Sequence, residues 1–170
     1  QKFLNLPLQN REEEIYINPG EEFWESRYYQ TLFNLERNDI NLKKICINYL
    51  EALEWTFKYY TTGCENWRWK YNYNYPPLMK DLIQYIPFFE TNLIEKNLNN
   101  PVKDYVQLSY VLPYSSLDLL PEQKYKLLVN KIEEFYPINC KFHWSFCKYF
   151  WESHIDLPQI NLTELEKLLG

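Results

Sequence analysis

Glycine occurs only three times in this 170-residue chain, and alanine once, at Ala52. So thin a supply excludes the Gly-rich loops that cradle phosphates, because those need several glycines close together. Cysteine is also sparse: Cys46, Cys64, Cys140 and Cys147 lack the tight spacing of a disulfide framework. No apolar run is long enough to cross a bilayer, and no secretory leader is visible. A reducing, intracellular compartment is therefore expected, with the cytoplasm as the address and no membrane as a partner. Positive charge is in deficit as well. The formal net charge is −5 and the pI near 5.2, the reverse of the basic surface with which an autonomous nucleic-acid binder displaces counterions. No Ser-His-Asp or Cys-His arrangement stands out.

Aromatic residues, by contrast, make up 19% of the chain, and they crowd where a core helix would not put them. Between Gly63 and Pro77 lie Trp67, Trp69, Tyr71, Tyr73 and Tyr75, interleaved with Arg68, Lys70 and three asparagines. Asn, Lys, Ile and Tyr are abundant throughout, which points to A/T-rich codons and a compact genome such as that of a large DNA virus or a parasite. The length fits one domain. With Gln1 rather than Met at its start and its last pattern running to Gly170, the chain is expected to be a piece of a longer protein.

The periodicity predicts a mainly α, irregular multi-helix domain, in which a long helix leads into the aromatic loop and a few short strands occur at most. Leu42, Cys46, Tyr49, Leu53, Phe57 and Tyr60 recur at intervals of three and four, giving a helix over 39–62 with Asn38 or Asp39 as N-cap. Leu42, Tyr49, Leu53 and Phe57 should be buried along it, and Lys43, Lys44 and Asn48 exposed. Gly63 should end it, by taking the left-handed conformation. Further helices are expected over 81–85 and 105–111, each halted by a following proline, and over 122–135 with Tyr125, Leu128, Val129, Ile132 and Phe135 on one face. A last helix should start near Asn161 or Thr163, while 142–151 reads as a short strand, a helix or both.

Trp67, Arg68 and Trp69 carry the clearest candidate chemistry. An indole face can stack on any base, and Arg68 and Lys70 can meet phosphate; both rings would point to similar sides if the segment were extended. The alternative is that the indoles belong to the core. Tyr71, Tyr73 and Tyr75 read as braces of the loop, and Asp81 as a helix cap or a support for the site. Trp24, Arg27, Tyr28 and Tyr29 fall on one turn of helix, with Arg27 placed to pair with Glu25 or the loop. The acidic runs at 12–14 and 21–25 read as solvated surface. Cys140, His143, Cys147 and His154 are zinc-type ligands, but their spacing matches no common structural-zinc pattern, and packing of Phe142, Trp144 and Phe146 explains the segment without metal.

The loop and its flanks resemble the XRN family of 5′-to-3′ exoribonucleases. Tyr49 to Trp55, Tyr59-Tyr60 and the run from Gly63 to Leu82 follow that family's Y-x-E-G-L-x-W, Y-Y and G-C-x-S-W-x-W-Y-Y-P-Y-H-Y-A-P-x-x-S-D-L without a gap. Phe23 to Tyr29, Pro101 to Leu108 with Val111-Leu112-Pro113, Leu120-Pro121, Phe135-Tyr136-Pro137, and Trp151-Glu152 with Leu157-Pro158 match further landmarks in the same order. Departures include Asn66 for Ser, Asn72 for Pro, Asn74 for His and Pro76 for Ala. The resemblance implies the helical second region of the nuclease core. It implies packing on an N-terminal catalytic half of the same chain, which is absent here and would hold Mg²⁺, and a single-stranded RNA substrate with a 5′-monophosphate. It also implies that one indole, Trp67 or Trp69, stacks near the RNA 5′ end, and it matches Asp81 to the family's S-D-L carboxylate. This segment alone would be inactive, with no catalytic or metal-ligating residue of its own. A catalytically silent scaffold for RNA or protein docking is the alternative from another class.

Overall fold

The computed structural model describes residues 11–97 and 100–170. Eight α-helices, several 3₁₀ turns and one two-stranded antiparallel sheet are present among them, so the fold is mainly helical. No described helix is long and apolar enough to cross a membrane. The described residues form two compact units, residues 11–97 with 144–153 and residues 100–143 with 154–170.

The first unit holds α1 (Glu12–Ile17), α2 (Trp24–Phe33), α3 (Asp39–Thr61) and the short α4 (Met79–Leu82), which runs on into a 3₁₀ turn at Ile83–Tyr85. The scarcity of glycine is visible at its helix ends. α1 and α2 close on left-handed Asn18 (φ 41°) and Asn34 (φ 54°), asparagine being the side chain that best tolerates that region. After α3 the backbone reaches φ 107° at Gly63, and there glycine is required by the torsion, since a Cβ would meet nothing within 4 Å. Asn38 caps α3, its Oδ1 accepting from the Asn41 N–H at 2.9 Å.

Ile17, Tyr28, Tyr29, Leu42 and Ile45 form the core of this unit. α3 uses its apolar stripe in only half its length. Leu42, Ile45 and Cys46 are buried, whereas Leu53 and Phe57, expected inside, are 51% and 69% exposed. The stripe outlasts the elements that cover it among the described residues. Asn48 also departs from expectation: it is buried rather than exposed, because it serves the aromatic loop. Lys43 and Lys44 are exposed as expected.

The acidic run at 12–14 is more than solvated surface. Glu13 accepts a hydrogen bond from Ser145 Oγ, and Glu14 accepts from the Phe146 N–H at 2.8 Å, so α1 fastens the 144–153 segment. Arg27 pairs neither with Glu25 nor with the loop. It donates to the carbonyls of Ile17 (3.0 Å) and Glu22 (2.8 Å), satisfying groups left open around the end of α1, and Glu25 pairs with Lys80 instead.

The second unit contains α5 (Asp104–Val111), α6 (Glu122–Leu128), α7 (Ile132–Phe135), strands β1 (Phe142–His143) and β2 (His154–Ile155), and α8 (Leu162–Leu169). Phe142 pairs with Ile155 and His143 with His154. The helix expected over 122–135 is broken by a 3₁₀ turn at Val129–Lys131. That turn shifts the helical phase and leaves Val129 half-exposed. Asn161 caps α8, accepting from the N–H of Thr163 (3.0 Å) and Glu164 (3.3 Å). Leu117, Leu128, Phe135 and Leu165 lead the core. Inside it Tyr136 donates to the Ser109 carbonyl at 2.8 Å, which spares a buried hydroxyl the cost of going unpaired.

Leu165 has no exposed surface. Leu165→Ala should lower the unfolding free energy by about 2–5 kcal/mol, measured by chemical denaturation, while Leu157→Ala at an exposed position should change it by less than about 0.5 kcal/mol.

Candidate nucleic-acid interface

The aromatic loop begins where α3 stops, and its first feature is a turn. Trp69 N–H reaches back to the Asn66 carbonyl (3.5 Å), and Asn66 Oδ1 accepts from the Arg68 N–H at 2.9 Å. This side-chain turn explains why Asn can stand in a position where the resembling pattern has Ser: both present an oxygen two residues ahead of the N–H it must accept. Because the segment turns, the two indoles do not share a side as they would in an extended chain.

Trp69 is held. Its ring stacks on Trp55 (centroids 6.0 Å apart, planes 24° apart), and Trp55 stacks in turn on Tyr59 (5.3 Å, 16°). Its Nε1 donates to Glu51 Oε2 at 3.4 Å, while Trp55 Nε1 donates to the Asn66 carbonyl at 2.9 Å. Trp67, in the middle of the turn, is 47% exposed, and its ring enters no aromatic stack among the described residues. Arg68, also in the turn, is half-buried.

α3 braces the loop with Asn48, which periodicity assigns to solvent, and with Glu51 and Trp55. Asn48 Oδ1 accepts from the Asn72 N–H (2.9 Å), and its Nδ2 donates to Glu51 Oε2 (2.8 Å), the same oxygen that receives Trp69. Asn48, Glu51 and Trp55 are spaced i, i+3, i+7, so they form one polar and aromatic stripe along the helix. Lower down, Lys58 pairs with Glu54 (2.7 Å) and Glu65 (3.0 Å). Burial pushes the Glu54 carboxyl up, but the Lys58 ammonium and the Leu93 N–H outweigh it and hold it below its usual range.

Beyond the turn the tyrosines pack inward. Tyr71 sits edge-on to Tyr49 (5.6 Å) and donates to the Tyr75 carbonyl at 2.7 Å. Tyr73 packs on Phe33 (5.4 Å), and buried Tyr75 donates to the Ser145 carbonyl at 3.2 Å. Burial raises the hydroxyl pKa of all three, so they are neutral hydrogen-bonding groups. Asp81 caps nothing. It lies within α4, wholly buried, with Oδ2 accepting from the Tyr29 hydroxyl (2.9 Å) and Oδ1 from Arg37 Nη2 (2.6 Å). Tyr29 accepts in turn from the Leu78 N–H at 3.0 Å.

Among the described residues no three His, Cys, Asp or Glu side chains converge where a metal ion could sit. His143 lies 2.8 Å from Asp156, and the Cys147 thiol hydrogen-bonds the Glu152 carbonyl. Burial lifts the Cys46 thiol to about 11, which keeps it protonated and unreactive.

Residues 7–169 match the family described as the Xrn1 helical domain. The chain belongs to that family. This helical domain is 31% identical over 172 residues to the 5′-3′ exoribonuclease 1 of Schizosaccharomyces pombe, a match covering 97% of the chain and 13% of that protein. It is 34% identical over 154 residues to the 5′-3′ exoribonuclease 2 of Candida glabrata, covering 88% of the chain and 14% of the relative. To the 5′-3′ exoribonuclease 2 homolog of Caenorhabditis elegans it is 30% identical over 173 residues, covering 94% and 17%. The chain thus spans under a fifth of the length of these relatives.

Of the residues singled out from sequence, the domain brings Trp69 and Tyr73 into its packing, buries Tyr75 and Asp81, and leaves Trp67 outward. From sequence alone, Asn48, Glu51 and Trp55 receive no part in supporting the loop. Their signal was the i, i+3, i+7 spacing, masked by the stronger apolar stripe on the same helix.

Asn48→Ala should cost about 0.5–1.5 kcal/mol of stability, because the part-buried Asn72 N–H loses its acceptor. Hydrogen exchange at the Asn72 amide should accelerate by the same free energy, and an unchanged exchange rate would show that Asn48 does not hold the loop.

Proposed function

We propose that this helical domain is part of an intracellular, cytoplasmic 5′-to-3′ exoribonuclease that degrades single-stranded RNA from a 5′-monophosphate end, and that Trp67 grips an RNA base. The observation carrying this reading is the division of labour between the two indoles. Trp69 is fixed by a stack and a hydrogen bond, so the turn beside it is rigid, and that rigid turn presents Trp67 to solvent. A preorganised, exposed ring loses little freedom on stacking, and stacking tolerates any base, as an enzyme that degrades RNA regardless of sequence needs. Arg68, next in the same turn, supplies a cation for phosphate.

The exposed second half of the α3 stripe supports packing against the remainder of the same full-length chain. Leu53, Phe57 and Tyr60 continue the helix face that Leu42, Ile45 and Cys46 bury, and Tyr60 is 81% exposed. A contiguous apolar stripe of this kind marks a contact surface. Asp81, the most buried carboxylate of the loop region, is committed to Tyr29 and Arg37, so the donors present do not suit a divalent ion. In this reading Mg²⁺ and the carboxylates that hold it belong to the rest of the full-length protein, and this domain binds, orients and encloses.

In the full-length enzyme, Trp67→Ala should weaken single-stranded RNA binding by about 1–3 kcal/mol while leaving the melting temperature nearly unchanged. Trp69→Ala should instead lower the unfolding free energy by about 1–3 kcal/mol, through loss of the Trp55 stack and its packing. Arg68→Ala should reduce affinity mainly at low salt. Equal RNA affinity and turnover for parent and Trp67→Ala would refute the base-gripping role.

A further inference from the structure

On the first half of α3, the side facing away from the core lines an open groove of about 600 Å³, within the range that accommodates a small ligand. Ile40, Lys43, Lys44 and Ile47 recur at i, i+3, i+4 and i+7 along it, and Tyr73 of the aromatic loop also lines it. The groove joins three chemistries. Ile40, Ile47 and the Tyr73 ring give it apolar sides. Lys43 and Lys44 are exposed cations, and neither enters an ion pair among the described residues, in a chain whose net charge is −5. Glu51 and Asn72 put polar groups in the same groove. Glu51 Oε2 is taken by Asn48 and Trp69, which leaves Oε1 as an acceptor without a hydrogen bond among the described residues.

We propose that this groove holds one ribonucleotide. Its base lies against Ile40, Ile47 and Tyr73, its amino group donates to Glu51 Oε1, and its phosphate meets Lys43 and Lys44. Apolar walls alone would suit any greasy side chain, but a lone carboxylate acceptor beside two unpaired ammonium groups matches a base that carries an exocyclic amine and, on the same molecule, an anion. Adenine, guanine and cytosine have that amine; uracil offers only carbonyl oxygens there, so uridine nucleotides should bind more weakly. The site is separate from Trp67, whose turn contributes no residue to the groove. The inference rests on the reading of the chain as part of an RNA-degrading enzyme. The nucleotide could belong to an RNA strand or be a free nucleoside 5′-monophosphate, and the experiment separates the two.

The test uses full-length protein in chelator, with a labelled 5′-phosphorylated oligoadenylate about twenty nucleotides long, followed by anisotropy across a salt series. The double variant Lys43→Glu/Lys44→Glu should reduce the slope of log affinity against log salt by about 0.7, the contribution of the one phosphate that the two lysines neutralise on a single strand. Lys126→Glu/Lys167→Glu, exposed lysines outside the groove, should leave the slope as in the parent. Ile40→Glu should weaken oligoadenylate binding several-fold without altering the circular dichroism spectrum, and oligouridylate should show a smaller effect of every groove variant. Competition by adenosine 5′-monophosphate against a labelled mononucleotide, lost in Ile40→Glu while the RNA slope is unchanged, would assign the groove to the free nucleotide; a change in the RNA slope would assign it to the strand. An unchanged slope in the groove variant with no such competition, an equal change in the control, or saturable binding of an acidic peptide that RNA does not displace would overturn the proposal. If those failures occur while Trp67→Ala still weakens RNA binding, only the groove is wrong; if no variant affects RNA, the exoribonuclease reading itself fails.

Discussion

The Asp81 carboxylate is the constraint on which the aromatic half of the molecule depends. It has no exposed surface, and removing a carboxylate from water costs several kcal/mol unless partners replace the lost hydration. Two do. The Tyr29 hydroxyl reaches it from α2 and the Arg37 guanidinium from the segment that leads into α3, so the one charge fixes α2, α4 and the start of α3 against each other. Tyr29 passes the constraint on by accepting from the Leu78 N–H, and neighbouring Tyr28 donates to the Pro76 carbonyl at 2.9 Å. The end of the aromatic loop is thereby tied to the same point. A hydrophobic substitute could fill that volume, but it could not specify which three elements meet there.

α3 then works as a strut with different duties along its length. Its first half buries Leu42, Ile45 and Cys46, and a second stripe, Asn48, Glu51 and Trp55, clasps the loop through backbone and side-chain hydrogen bonds. Hydrophobic burial positions the helix, and polar contacts position the loop on the helix. The second kind is worth less per contact but has direction, which is what a turn presenting a single indole requires.

Regular, strongly patterned elements were legible in the sequence. The helix over 39–62 with Asn38 or Asp39 as its cap, its end at Gly63, the helix over 105–111 and the start of the last helix near Asn161 or Thr163 all follow from local rules that act within a few residues, and the structure lies within a residue of each. What local rules could not supply was context. Periodicity finds an apolar stripe but not where its cover ends, so Leu53 and Phe57 read as buried. It assigns Asn48 to solvent because it has no means of knowing that the Asn72 N–H lies 24 residues downstream in search of an acceptor. The aromatic loop was recognisable as unusual and as a family landmark, yet the different fates of Trp67 and Trp69 depend on a turn set by Asn66 and on a stack with Trp55, one of them local and the other not. α1 escaped notice because three consecutive glutamates look like surface until Ser145 and the Phe146 N–H are known to answer two of them.

The route of the chain bears on how the protein is made. Residues 144–153 belong to the first unit, although the second unit's sequence begins before them and ends after them, and the Ser145 carbonyl that receives the Tyr75 hydroxyl lies 70 residues further on. At about 5–20 residues per second on the ribosome, Tyr75 waits roughly 4–14 s for its acceptor. During that interval a nascent chain carries a half-finished aromatic cluster and must keep it from other chains. Neither unit can be cut away whole with a single break, so their assembly is woven together in time even where each packs around its own core.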